Sequence, residues 1–266
     1  MRAAFSNRGS DMQIDGDGDG DCMAERVDPV AGNEEVDQFC LTCAFSGVCG
    51  AVGCGKTDLT AMHGLVDQVG PYRAGDYVFR TGDPFRAISA VRRGTVKTSR
   101  VDKDGREQIL GFYLPGEVIG LNAIYPDRFT CNAIALETTY FCRFAFSAVS
   151  ALATRMPAVQ QHLFRMISRE LGSNSLLVGD YSADERMAAF LIDLGERHAA
   201  RGQSATKFQL SMSRSDIGNY LHLAAETVSR VLSRFRGQRL VQIDGRRVTI
   251  CQPDALRGIG HNLLPD

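Results

Sequence analysis

The apolar positions along the chain fall into three textures. Residues 1–37 have no apolar period, and Asp and Gly alternate through Asp15-Gly16-Asp17-Gly18-Asp19-Gly20. Such a segment cannot bury enough surface to offset its chain entropy, so it is predicted to be a disordered acidic tail. From about residue 58 to 146, short apolar runs are broken by turn signals: Ala74-Gly75-Asp76, Thr81-Gly82-Asp83-Pro84, Arg93-Gly94, Asp104-Gly105 and Leu114-Pro115-Gly116. The runs at 95–101 and 107–113 flank Asp104-Gly105 and predict a β-hairpin. Short strands at this spacing predict an antiparallel barrel or jelly roll, a β-roll over residues 58–155.

Beyond Met156-Pro157 the period becomes helical. Leu163, Ile167, Leu171, Asn174 and Val178 recur at steps of four and three, a narrow apolar seam with one polar interruption on a helix over 156–181. At roughly 25 residues this helix is about twice the average length. So long a helix with so narrow a seam calls for a partner helix from a second copy of the chain. The alternative is a helix that covers one side of the barrel. A further helix at 183–200 places Met187, Phe190, Leu191 and Leu194 on one face.

The most specific local pattern lies in a C-terminal domain over 182–257. Ser213-Arg214-Ser215-Asp216 fits a capping box, with Ser213 as N-cap and Asp216 reaching back. The helix it opens ends near Leu221, and the short turn His222-Leu223-Ala224 leads into a second helix over 225–235. There Val228, Val231, Leu232 and Phe235 share a core face, while Glu226, Ser229, Arg230 and Ser233 share another. The second set suits a major groove: Arg donates in bidentate fashion to guanine, Glu accepts from cytosine, and Ser bonds either way. Runs at 240–243 and 246–250 flank Asp244-Gly245 and predict a hairpin wing. Arg234, Arg236, Arg239, Arg246 and Arg247 are placed to meet phosphates. The class is therefore α+β: a β-roll, a long dimerisation helix and a winged helix-turn-helix domain, with a short tail over 258–266.

Charge strengthens this picture. The net charge of −1 hides ten acids against three arginines in residues 1–37, and eight bases against three acids in residues 204–251. A basic module on a near-neutral chain points to a polyanion partner. No apolar run is long enough to span a bilayer, and the opening MRAAFSNRGSDM lacks the apolar core of a secretory signal. A cytoplasmic protein without a membrane partner is expected. In a reducing compartment, eight cysteines suit metal or redox chemistry better than disulfides.

Cys40, Cys43 and Cys49 form a C-x2-C-x5-C run, with Cys54 close behind; Cys22, Cys131, Cys142 and Cys251 are scattered. Three or four thiolates in so short a stretch can wrap an iron–sulfur cluster or a zinc ion, and the spacing does not choose between them. The Asp-Gly run imitates an EF-hand loop, but its twelfth position is Arg26 where a bidentate Glu is needed. The five histidines show no metal-ligand spacing such as H-E-x-x-H, and no catalytic constellation is present, so an enzyme is not expected.

Over residues 38–257 the chain resembles the Crp/Fnr superfamily of bacterial transcription regulators, and within it the FNR-like subgroup. The resemblance rests on Ser213-Arg214-Ser215-Asp216-Ile217-Gly218-Asn219-Tyr220-Leu221, on Glu226-Thr227-Val228-Ser229-Arg230, and on the cysteine run that precedes the roll, over 38–57. It implies a 4Fe–4S cluster on Cys40, Cys43, Cys49 and a fourth ligand in the roll. Ala135-Leu136-Glu137-Thr138-Thr139-Tyr140-Phe141-Cys142 resembles the segment that ends in that ligand, which assigns Cys142 over Cys131.

The resemblance further implies an oxygen-sensing activator of anaerobic metabolism that works with RNA polymerase. It would bind TTGAT-like inverted repeats in double-stranded DNA as a homodimer while the cluster is intact. Ser213, Arg214, Glu226, Thr227, Ser229, Arg230, Arg234, Arg246 and Arg247 are the implied DNA-contacting set. Two positions depart from the subgroup: Cys54 is an additional thiol, and Asn174 stands where an acidic residue is expected. A cyclic-nucleotide-responsive regulator is the alternative, because Gly116-Glu117 resembles the start of a phosphate-binding cassette. The arginine that ends such a cassette is absent, and Thr130 aligns with it. A zinc-binding DNA-binding protein is the other alternative.

Overall fold

The structure, a computed structural model, describes residues 66–173 and 179–264. Eight strands make the first unit: β1 (Val66–Tyr72), β2 (Tyr77–Phe79), β3 (Ala87–Arg93), β4 (Val96–Val101), β5 (Glu107–Tyr113), β6 (Val118–Ile119), β7 (Asn132–Ala135) and β8 (Thr139–Ala145). They form two antiparallel sheets, ordered β1-β8-β3-β6 and β2-β7-β4-β5, so the chain passes repeatedly from one sheet to the other. This is the expected roll. The hairpin β4–β5 pairs Val101 with Glu107 and Val96 with Tyr113, and a bulge leaves Leu110 unpaired. β5 is an edge strand, with one row of backbone groups turned away from the sheet.

Helices follow: α1 (Phe146–Arg155) and α2 (Pro157–Ser173). Between them Met156 is extended, as the residue before a proline must be, and Pro157 opens the new helix, where its missing N–H costs nothing. α1 was not expected; its apolar residues Val149 and Leu152 continue the texture of the strands before it.

The inner face of α2 covers the roll. Leu163 and Ile167, expected on the dimer seam, pack partly buried against a cluster that holds Ile88, Ala90, Cys142, Phe144, Val149, Leu152 and Val159. The apolar side chains that α2 turns to solvent are Phe164 and Leu171, 61% and 71% exposed. Within one chain, then, Leu163 and Ile167 face the roll, while Leu171 and the neighbouring Phe164 face outward. Asn174 and Val178 lie outside the described residues, as do residues 1–65 with the tail, Cys40, Cys43, Cys49 and Cys54.

The last unit comprises α3 (Ala183–Ala199), β9 (Lys207–Gln209), α4 (Arg214–Leu221), α5 (Ala225–Gly237), β10 (Val241–Asp244), β11 (Arg247–Ile250) and α6 (Pro253–Gly260). β9 and α6 were not expected. β9 is three residues long and turns the wing into a sheet ordered β10-β11-β9. Asp244 pairs with Arg247, so the wing's turn is Gly245-Arg246, one residue later than expected, with Gly245 at φ +58°. Met187, Leu191 and Leu194 of α3, Ile217 of α4 and Val228 of α5 join Ile109, Phe112 and Leu114 of the roll in one apolar cluster. The two units thus share a core.

Candidate nucleic-acid interface and cysteine site

The helix-turn-helix is held by local chemistry. Ser213 Oγ accepts the Asp216 N–H at 3.0 Å, and Asp216 Oδ2 accepts the Ser213 N–H at 3.1 Å, completing the capping box. His222 ends α4 at φ 56°, a left-handed conformation in which glycine is more common. The Leu223 N–H then donates to the Gly218 carbonyl at 2.8 Å. A Cβ on Gly218 would sit 2.6 Å from the Leu223 oxygen, so this turn closes only over a glycine.

α5 starts two residues later and divides its faces as expected. Val228, Val231, Leu232 and Phe235 are buried, while Glu226, Ser229, Arg230 and Ser233 are exposed. Arg230 Nη2 donates to Thr227 Oγ1 at 3.1 Å, which steadies the guanidinium against the helix. Ser229 Oγ donates to the Ala225 carbonyl at 3.1 Å. Arg236, Arg239, Arg246 and Arg247 are exposed around this face and along the wing.

Two expected phosphate contacts have distinct surroundings. Arg234 is ion-paired with Asp184 at the start of α3, so part of its charge is already compensated. Arg214 is half-buried, and burial lowers its pKa. It has no carboxylate partner among the described residues, and it opens α4, where the helix dipole disfavours a cation. A phosphate oxygen at this helix start would relieve both costs.

Cys142 lies on β8, fully buried, paired across the sheet with Gln68 of β1 and Ala90 of β3. Val66, the first described residue, pairs with Phe144 and packs partly buried against the cluster that contains Cys142. The chain that carries Cys40, Cys43 and Cys49 therefore enters the roll next to Cys142. Cys131 sits in a separate cluster between the sheets with Phe79, Val96 and Phe141. Burial pushes its thiol pKa up, and the Asn122 amide 3.5 Å away only partly offsets this. Cys251 is exposed on the wing. Among the described residues, no three His, Cys, Asp or Glu side chains gather as metal ligands, so a cluster at Cys142 needs the N-terminal cysteines. The buried thiol, its apolar surroundings and the entry point of the chain fit that donor set.

At the position resembling a cyclic-nucleotide cassette, the Glu117 carboxylate is already engaged. Arg197 and Arg201 each approach it to 2.6 Å, and the Leu114 N–H donates to it at 2.8 Å. Burial raises its pKa, but the two guanidiniums outweigh burial and bring it down to about 2. A cavity of about 220 Å³ beside it is lined by Tyr113, Glu117, His162, Glu170, Arg197 and Tyr220, with Tyr113 Oη donating to Glu170 at 2.6 Å.

The sequence reading missed the contacts that dock the reading domain on the roll. Lys97 and Asn219 are polar residues on amphipathic elements, and nothing in their local pattern distinguishes them from solvated positions.

Comparison with known proteins matches residues 185–259 to the Crp-like helix-turn-helix domain and residues 70–155 to the cyclic nucleotide-binding domain. The chain is 40% identical over 234 residues to the transcriptional activator protein Anr of Pseudomonas protegens, covering 87% of this chain and 95% of Anr. It is 41% identical over 214 residues to the transcriptional activator protein FnrA of Stutzerimonas stutzeri, covering 79% and 88% of the two chains. The structure of FixK2 from Bradyrhizobium japonicum superposes with a TM-score of 0.66 at 31% identity, covering 76% of this chain and 98% of FixK2.

Proposed function

Because the chain belongs to the Crp/Fnr family of transcription regulators, we propose that it is an oxygen-responsive activator that reads an inverted DNA repeat as a homodimer. Its relatives are transcriptional activators with a helix-turn-helix domain, which makes the chain a DNA-binding transcription regulator and not an enzyme. Oxygen response is supported by one observation above others: Cys142 is buried near Val66, where the described chain begins, in the same cluster as the inner face of α2.

In this reading Cys40, Cys43, Cys49 and Cys142 hold a 4Fe–4S cluster, which supplies oxygen-sensitive chemistry when bound. Cys142 shares its packing with Val159, Leu163 and Ile167, so displacement at its sulfur bears on the inner side of α2. The outer side of the same helix offers Phe164 and Leu171 to a second copy. A dimer joined there carries two α5 helices, each presenting Glu226, Ser229 and Arg230 to one half-site similar to TTGAT. Arg214, Arg246 and Arg247 meet the phosphates, and RNA polymerase is the further partner of an activator.

The cyclic-nucleotide alternative is disfavoured, since Glu117 is satisfied by the chain's own arginines and Thr130 offers no cation to a cyclic phosphate.

The test is anaerobic purification followed by absorbance, iron and sulfide assays, and binding to a TTGAT inverted repeat before and after air. Iron and sulfide in equal amounts, lost in air together with operator binding, are expected. Cys142→Ser should abolish iron retention and Cys54→Ser should keep it. A colourless, zinc-loaded protein would reject the cluster.

A further inference from the structure

The edge of the roll is closed by the reading domain. β5 turns the Glu107 carbonyl and the Ile109 N–H outward, and both meet one side chain of α4. Asn219 Nδ2 donates to the Glu107 carbonyl at 2.7 Å, and Asn219 Oδ1 accepts the Ile109 N–H at 2.7 Å. A single planar amide thus replaces the missing neighbouring strand. Two bonds from one rigid group fix the angle of α4 against β5, where one bond would leave a pivot.

A third point lies one helical turn away. Lys97 Nζ of β4 is 2.9 Å from Asp216 Oδ1 and 3.2 Å from the Glu107 carboxylate, with the lysine side chain only 13% exposed. Asp216 uses its other oxygen in the capping box with Ser213, so the start of α4 is tied to the roll through the residue that caps it. Beside this, Glu137 Oε1 accepts from Thr95 and Ser211 at 2.7 Å each, again one residue from each unit. Phe112 and Tyr220 meet edge to face at 5.3 Å beneath these contacts.

We infer that Lys97 and Asn219 are positioning residues for DNA binding: they form a joint that sets the direction of the reading head without touching a base. The inference rests on the proposed reading of an inverted repeat by a dimer. Two heads bind two half-sites together only if their separation and angle are held, and slack at either head lowers the effective concentration of the second. A rigid joint between the roll and α4 supplies that hold. It has no bearing on how one head grips one half-site.

The test compares anaerobically purified full-length protein on duplexes carrying either the full inverted repeat or one half-site. The wild type should prefer the full site strongly. Lys97→Met and Asn219→Ala should each weaken full-site binding by about tenfold while half-site binding changes less than about twofold. Lys97→Arg should keep wild-type behaviour. Hydrogen exchange at the Ile109 amide should quicken in Asn219→Ala, reporting an open joint in a folded protein. Full-site binding that is unchanged or stronger in both variants overturns the joint, and so does an equal loss on both duplexes. A wild type that shows no full-site preference instead fells the dimer reading, and this inference with it.

Discussion

The reading domain has two faces rich in arginine, and they do opposite things. On the side turned to the roll, Arg197 and Arg201 are largely withdrawn from solvent against Glu117, their side chains 15% and 9% exposed, and Arg197 also donates to Asp193 and to the Phe112 carbonyl. On the side turned to solvent, Arg230, Arg246 and Arg247 meet no carboxylate among the described residues. The first group must be neutralised inside the fold, since a buried unpaired charge is costly. The second group keeps its charge available, and its field reaches solvent, where it can gather and orient a polyanion. The side chain is the same; what differs is whether the fold or a ligand provides the counter-charge.

The largest break in this contrast should come from the buried face. Glu117→Gln leaves two inward guanidiniums without their shared carboxylate and should cost about 3–5 kcal/mol in urea unfolding. The pH dependence has a definite sign. The folded carboxyl is depressed to about 2 from 4.5, so its contribution is complete above 4.5 and is lost as pH falls from there toward 2. The wild type should lose stability across that window, and the Gln variant should show a shallower decline.

The exposed face should behave in the opposite manner. Arg230→Ala should leave the melting temperature in place and cost about 1–3 kcal/mol on the operator, with little change on random duplex. Equal losses on both DNAs, measured by anisotropy, would remove Arg230 from the base-reading set. A smaller effect is expected at the wing: Arg246→Ala should weaken all sequences alike and reduce the slope of log affinity against log salt by about 1. The smallest belongs to neither face. His222→Gly relieves the left-handed cap of α4 and should stabilise the fold by about 0.5 kcal/mol in thermal melts, with DNA contacts unaltered.

Much of the reading head was legible because its physics is local. The capping box at Ser213 and Asp216, the short turn at His222-Leu223-Ala224 and the two faces of α5 depend on residues within a few positions of one another. Arg234 shows what local spacing leaves out: Asp184, fifty positions away, forms an ion pair with it. The apolar stripe on α2 shows the same limit. Period alone placed Leu163 and Ile167 toward a partner helix, whereas the roll occupies that stripe and leaves Phe164 outside. A helical period reports which residues share a face and not what the face meets.

The amino-acid sequence by itself thus determined the α+β order of roll, helix and winged domain, because turn chemistry and apolar period are properties of neighbouring residues. It also determined the identity of the solvent-facing side chains on α5, whose exposure follows from burying the other face. Only the tertiary structure decided that Cys142 and Cys131 belong to different apolar clusters, that Glu117 serves two arginines from α3 and its following turn, and that Asn219 completes the edge of β5. Each of these joins residues many positions apart, whose meeting depends on how whole sheets and helices pack. Asn219 lies 112 positions from the carbonyl it binds, and no local period relates the two.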